Sequence, residues 1–202
     1  RVNGRNGLVF ERIYGDNMLA MLREQPEQAP AFASRLAELH IQLHTLDAKP
    51  DIPLQHPKLE EKLHKATQLS AALKATLIER LHGMADGRSV CHGDFHPGNV
   101  VVTNTGDVVV DWNDCSYGNP LADVARSTIL FLGGITGNET PDLAFNQLVT
   151  DCHEQYLARY FELSPHQRSE YERWLPIVAG ARLSENITAL EPWLLSEAEK
   201  VN

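Results

Sequence analysis

Residues 91–99 read Cys-His-Gly-Asp-Phe-His-Pro-Gly-Asn, which sets Asp94 and Asn99 in one loop rich in Gly and Pro. Loops of that composition let backbone approach a ligand closely. Two β-branched runs follow, at 100–102 and 108–110, joined by Asn104-Thr105-Gly106-Asp107, a turn signal. With the turn centred near Thr105, Asn99 starts one strand of a hairpin and Asp111 ends the other, opposite each other to within about one residue of register. Directly opposed positions hold their Cβ atoms roughly 4.5 to 5.5 Å apart, close enough for both side chains to share one hard cation. Ligation by Asn99 and Asp111 through oxygen alone, with other positions left for phosphate oxygens and water, fits magnesium better than zinc. Asp114, three residues beyond Asp111, is either a further ligand or a carboxylate that merely solvates a loop.

The elements that must position this hairpin read as mostly helical. Residues 7–13 form a strand-like stretch ended by Gly15, and Asp16 is a candidate N-cap for a helix over 17–23. Phe32, Leu36, Leu39, Leu43 and Leu46 recur at helical spacing and predict an amphipathic helix over 31–46. A Pro-rich connector at 50–57 leads to helical patterns at 59–66 and 71–84. After Pro120, which suits a first helical turn, helices are expected at 121–132, 143–161 and 166–190 with a break near Pro176, and a short one at the end. The predicted fold class is therefore mainly α with a small β-hairpin, the hairpin and its loop falling within 88–113.

Composition narrows the function classes. The chain has 202 residues, 43% of them hydrophobic, enough for a substantial core. Its 18 Lys and Arg against 27 Asp and Glu give a formal charge of −9 with no basic cluster, which disfavours nucleic acid as a partner. Three cysteines without a CxxC pair suggest neither a disulfide framework nor a zinc ribbon, and point to a reducing, cytoplasmic setting. No apolar run approaches the ~18 residues of a membrane span, so no membrane partner is expected. The sequence opens without Met and runs at once into strand-like residues, which reads as a fragment whose upstream part is missing.

The interval from Asp94 to Asn99 is that of the kinase catalytic loop H-R-D-x-x-x-x-N, in which the Asp faces the acceptor hydroxyl and the Asn binds magnesium; here Gly93 stands in place of the Arg. Together, His-Gly-Asp-Phe-His-Pro-Gly-Asn at 92–99, Val110-Asp111-Trp112, and Gly-Asn-Pro-Leu-Ala-Asp-Val-Ala at 118–125 resemble the signature of the aminoglycoside phosphotransferase and choline kinase family. The segments LVFERIYG and LAELHIQLH extend the likeness weakly to most of the chain. The resemblance implies a protein-kinase-like C-lobe that, with Mg2+, moves the γ-phosphoryl group of ATP or GTP to a hydroxyl of a small molecule: an aminoglycoside-like, choline-like, amino-alcohol or sugar acceptor. It makes Asp94 the catalytic base or hydroxyl-orienting carboxylate, His92 a structural member of the catalytic loop, Asn99 and Asp111 the metal and nucleotide ligands, and Asp123 a buried brace of that loop. It also makes residues 1–15 a hinge to a missing N-lobe, with backbone groups of Glu11 and Ile13 offered to the purine, and 16–202 the helical C-lobe. No Gly-rich phosphate loop or strand lysine precedes that hinge; Gly4-Arg5-Asn6-Gly7 is too short for one.

Competing readings attach to several of these residues. A non-catalytic nucleotide-binding or interaction module could retain the motif without its N-lobe. Asp94-Phe95-His96 also matches the DxH of metal-dependent phosphoesterases, but no further ligand blocks accompany it. His40 and His44 lie one helical turn apart, as zinc ligands can, yet without an obvious third ligand they read as core histidines. Cys91 reads as a small buried filler, and Tyr171, Trp174 and Trp193 as helix-packing aromatics that could instead line an acceptor pocket.

Overall fold

Helical stripes of apolar residues wrap a small β unit, and a computed structural model describes this arrangement for residues 10–46, 51–136 and 142–201. In chain order the elements are β1 (Asp16–Asn17), α1 (Met18–Glu24), α2 (Ala29–His44), α3 (Gln55–Lys65), α4 (Ala71–His82), β2 (Ser89–Cys91), β3 (Val100–Thr103), β4 (Gly106–Val109), β5 (Ser116–Gly118), α5 (Pro120–Thr136), α6 (Leu143–Leu163), α7 (Arg168–Glu172), α8 (Leu175–Arg182) and α9 (Glu191–Glu199). This is the expected mainly helical class with a small β-hairpin, with two corrections in its β portion. The hairpin is not alone: β1 adds to β3 antiparallel, with Asp16 opposite Val102, giving the order β1-β3-β4. A second antiparallel pair, β2 with β5, sets Cys91 opposite Ser116 and so ties the start of the loop to the residues after Asp111.

The expected strand at 7–13 falls partly outside the described residues; from residue 10 to Ile13 the chain belongs to no regular element. Glu11 is exposed there and Ile13 half-buried. Capping is likewise one residue later than expected: Asn17, not Asp16, accepts the Ala20 N–H at 2.7 Å and starts α1, while both residues pair through their backbone in β1.

The core sits where α2 packs along α6, with α5 and α8 closing it. Phe32, Leu36 and Leu43 of α2 are buried as their spacing predicts, whereas Leu46 lies beyond the helix end and is 51% exposed. Tyr156, Leu157 and Tyr160 of α6 face them from the other side. Each such buried side chain contributes about 1.5–3 kcal/mol, enough for this seam to fix α2 in place. The predicted 166–190 helix is broken at Arg173–Trp174, so that Pro176 sits in the first turn of α8, where its missing N–H costs nothing. Tyr171 and Trp174 are buried in packing and Trp193 is half-buried. A two-pronged contact from Arg35 of α2 holds the hairpin tip: Nε donates to Asp107 Oδ2 at 2.9 Å and Nη2 to Oδ1.

Candidate active site

The loop between β2 and β3 is held by a buried carboxylate. Asp123, in the first turn of α5, accepts the backbone N–H of His92 at 2.6 Å and of Gly93 at 2.8 Å. On the same carboxylate His40 Nε2 stands at 3.1 Å and His44 Nε2 at 3.4 Å, while their Nδ1 atoms meet the hydroxyls of Tyr156 and Tyr160. A carboxylate only accepts, so each Nε2 carries the proton and each Nδ1 accepts from a tyrosine. Burial would raise the Asp123 carboxyl, but the hydrogen bonds that His40 and His44 donate outweigh it and hold the group ionised, below the usual carboxylate range. Burial, with the neighbouring His44, drives His40 down to about 3, so it stays neutral. The three ligating groups His40, His44 and Asp123 thus come within 4.8 Å of one another, and Asp123 is the third partner that sequence spacing did not reveal for the histidine pair. Because the loop N–H groups also bind this carboxylate, its role is that of a brace.

Gly93 explains the departure from the kinase Arg. Its φ of 79° is left-handed, and a Cβ there would meet the Asp114 carbonyl oxygen at 2.4 Å. Its own carbonyl accepts from Arg126 Nε at 3.0 Å. Next in the loop, the Asp94 N–H donates to His92 Nδ1 at 3.2 Å, and His92 Nε2 donates to the Val110 carbonyl at 3.0 Å. One imidazole therefore links the loop to the residue before Asp111, and burial lowers its pKa, keeping it neutral for both bonds.

The Asn99 amide nitrogen donates to the Asp94 carbonyl at 2.9 Å and to Asp94 Oδ2 at 3.0 Å, which turns its oxygen away from the loop. Val110 N donates to the Asn99 carbonyl at 2.9 Å, so the hairpin register puts Asn99 opposite Val110, one step short of Asp111. At that step Asp111 takes a left-handed backbone, φ 64° and ψ 62°, which breaks the alternation of a regular strand. A non-Gly residue in that region costs about 1–2 kcal/mol, and such strain is found at functional positions. Asn113 Nδ2 donates to Asp111 Oδ1 at 2.5 Å, and Trp112 lies with its ring centroid 4.7 Å from that of His92.

Asp94 is half-buried. His96, whose Nε2 stands 3.8 Å from Oδ2, pulls its pKa down to about 2 against the effect of burial, and Arg126 and Asn99 assist. His96 also accepts the Gly98 N–H through Nδ1 at 3.0 Å, a use that closes the loop turn. Asp114 faces elsewhere: Lys58 Nζ lies 2.9 Å and Lys62 Nζ 3.5 Å from its Oδ1. Cys91 is buried with its thiol pushed well up by that burial, a packing group. Sequence reading missed Arg126, although it lies three residues after Asp123 and so on the same helix face, and missed Lys58, Lys62, Arg182 and Glu185, which sequence distance separates from the loop.

The chain's fold is similar to that of choline kinase LicA from Streptococcus pneumoniae, at 15% identity and a TM-score of 0.56, over 85% of this chain and 63% of that one. A choline/ethanolamine kinase family protein from Mesorhizobium loti gives 17%, 0.54, 92% and 59%, and the amicoumacin kinase hAmiN, solved with AMP-PNP, Ca2+ and Ami, gives 17%, 0.58, 95% and 60%. The chain thus spans about three fifths of the length of these structures. Curated protein sequences give no match. The model of the phosphotransferase enzyme family matches residues 1–171, a stretch that contains the whole braced loop, the hairpin and the start of α5. The chain belongs to the phosphotransferase enzyme family.

Proposed function

We propose that the chain carries the catalytic half of a small-molecule kinase, which transfers the γ-phosphoryl group of ATP or GTP to an acceptor hydroxyl with Mg2+. The observation that supports this reading best is the braced loop itself: Asp123 fixes the backbone of His92 and Gly93, and Asn99 in turn fixes Asp94. Phosphoryl transfer asks little covalent chemistry of the protein, so positioning and charge neutralisation carry the rate.

In this reading Asp94, ionised at neutral pH, accepts a hydrogen bond from the acceptor hydroxyl and orients its lone pair toward the γ-phosphorus; as the new O–P bond forms, the bond to the bridging oxygen breaks, the nucleoside diphosphate leaves, and Asp94 takes the hydroxyl proton. The Asn99 side-chain oxygen Oδ1 and the Asp111 carboxylate would hold the magnesium ion; the donor set fits, being oxygen only, with Asn99 Nδ2 already committed to Asp94. When bound, that ion neutralises phosphate charge. Asp114, engaged by two lysines, is left out of the metal set. His92 acts as a positioning residue between Asp94 and Val110, and Glu11 and Ile13 remain the proposed hinge contacts to the purine.

Calorimetric titration with Mg·ATP and Mg·GTP tests the reading, with Asp111→Asn as control. Saturable heat that the substitution removes is the expected result. Equal heat in both proteins would put the nucleotide elsewhere, and no heat from either nucleotide would remove the nucleotide site from this chain.

A further inference from the structure

A cavity of about 450 Å³, counting its open mouth, is lined in part by Gly93, and cations dominate its polar wall: Lys58, Lys62, Arg126 and Arg182. Its remaining polar groups are largely spoken for. Asp123 is turned to the loop N–H groups and the histidines, and Asp114 receives Lys58 and Lys62. Glu185, which does not line the cavity, pairs with Arg126 at 2.8 Å and with Lys62 and Arg182 at 3.6 Å each, although its Oε1 is buried without a hydrogen bond among the described residues. Four cations therefore share Asp114 and Glu185, with Asp94 a third and more distant carboxylate at 3.8 Å from Arg126, in a chain whose overall charge is −9.

Arg182 is the odd member. It is 9% exposed, and among the described residues its Nε and Nη1 make no hydrogen bond, the Glu185 contact being too long for one. A guanidinium carries five N–H donors in a fixed fork matched to carboxylate or phosphate oxygens. Burying it with donors unmet is costly, and the cost is recovered when an anion enters the fork. The burial and the neighbouring Arg126 charge also depress its pKa to about 10, the direction that an entering anion would reverse. Arg126 connects this cavity to the catalytic loop: its Nε holds the Gly93 carbonyl, and its Nη2 stands 3.8 Å from Asp94 Oδ1.

We infer that this cavity is the acceptor's anion subsite: the hydroxyl compound phosphorylated here carries a carboxylate or phosphate, which Arg182 receives in its unmet donors with Lys58, Lys62 and Arg126 around it. The inference rests on the kinase reading for the word acceptor, while the anion site stands on Arg182 and the cavity alone. A choline-like or polyamine acceptor is disfavoured, because its cationic group would meet this wall.

NMR of the arginine Nε–H resonances tests it, with Arg182→Lys used to assign the Arg182 signal. The protein is titrated with inorganic phosphate and acetate as minimal anions, then with gluconate against glucose, glycerol 3-phosphate against glycerol, and choline, each with and without Mg·AMP-PNP. The expected result is a saturable shift of the Arg182 signal with the anionic member of each pair, binding about tenfold or more tighter than its neutral partner. Lys62→Gln, on the rim, should weaken the anion several-fold without unfolding the chain. An Arg182 signal that no anion moves, or that choline moves equally, overturns the inference. So does a signal that Mg·AMP-PNP alone saturates, since the fork would then hold the nucleotide's phosphate. Loss of nucleotide binding with the anion response intact would instead remove the kinase reading and leave the anion site standing.

Discussion

Asp123 is the side chain on which the most interactions converge, and its replacement separates positioning from folding. Asp123→Asn removes the charge and presents an NH2 group to at least one of four N–H donors, so about 3 kcal/mol of stability should be lost in denaturant unfolding. An unchanged midpoint would mean that the brace is not under load. Asp94→Ala removes a group that no fold contact outside its own loop and Arg126 depends on, so nucleotide binding should persist while turnover disappears; the reverse split would exchange its role with that of Asp111. Much of this was legible from residue types. Asp94 and Asn99 were singled out by type and spacing and Asp123 by the family resemblance, and the structure joins them through the loop's hydrogen bonds. The reason Gly93 replaces an Arg was not legible, because it depends on the Asp114 carbonyl approaching from twenty-one residues away in sequence.

At the scale of elements, the hairpin register follows from its turn, with Asn104 and Thr105 between Thr103 and Gly106, and the strand pairing then carries Asn99 to Val110 without further help. What holds the hairpin against the helices is the Arg35 fork on Asp107, which crosses from α2. Arg35→Ala should loosen the tip and lower the ordering of Asp111. Amide hydrogen exchange in 100–110 is expected to speed up by about tenfold, matching roughly 1.5 kcal/mol of local stability, with the global midpoint nearly unmoved. Uniform protection in the two proteins would show that β1 pairing alone suffices. Periodicity located α2, α4, α5 and α6 within a few residues. The break expected near Pro176 within 166–190 falls at Arg173–Trp174, but the helix does not run on to 190: α8 ends at Arg182, and Leu183–Glu185 and Thr188–Leu190 are short 3-10 turns.

For the molecule as a whole, acid should be the effective denaturant. His153 donates or accepts within a buried trio with Thr128 and Tyr171 that joins α5, α6 and α7, and burial, with the Arg168 charge, brings its pKa down to about 4; His40 lies at about 3 for the reasons given. Both folded values are below the unfolded 6.5, so the unfolded chain takes up protons that the fold refuses. Their contribution is fully present above pH 6.5 and is lost as pH falls toward 4. Between pH 7 and 5 each histidine should remove about 2 kcal/mol, read from urea midpoints, and His153→Gln should flatten its share of that slope. A midpoint independent of pH in this range would sink the argument. The sequence alone determined the loop, the hairpin, the helical class and the family likeness, since all are set by contacts between near neighbours or by patterns that repeat along the chain. The four-donor brace on Asp123, the left-handed turn at Asp111 and the cationic cavity around Arg182 were decided only by the tertiary structure. The brace and the cavity depend on groups brought from remote helices into a space where water no longer satisfies them, and nothing in local spacing records which groups will meet.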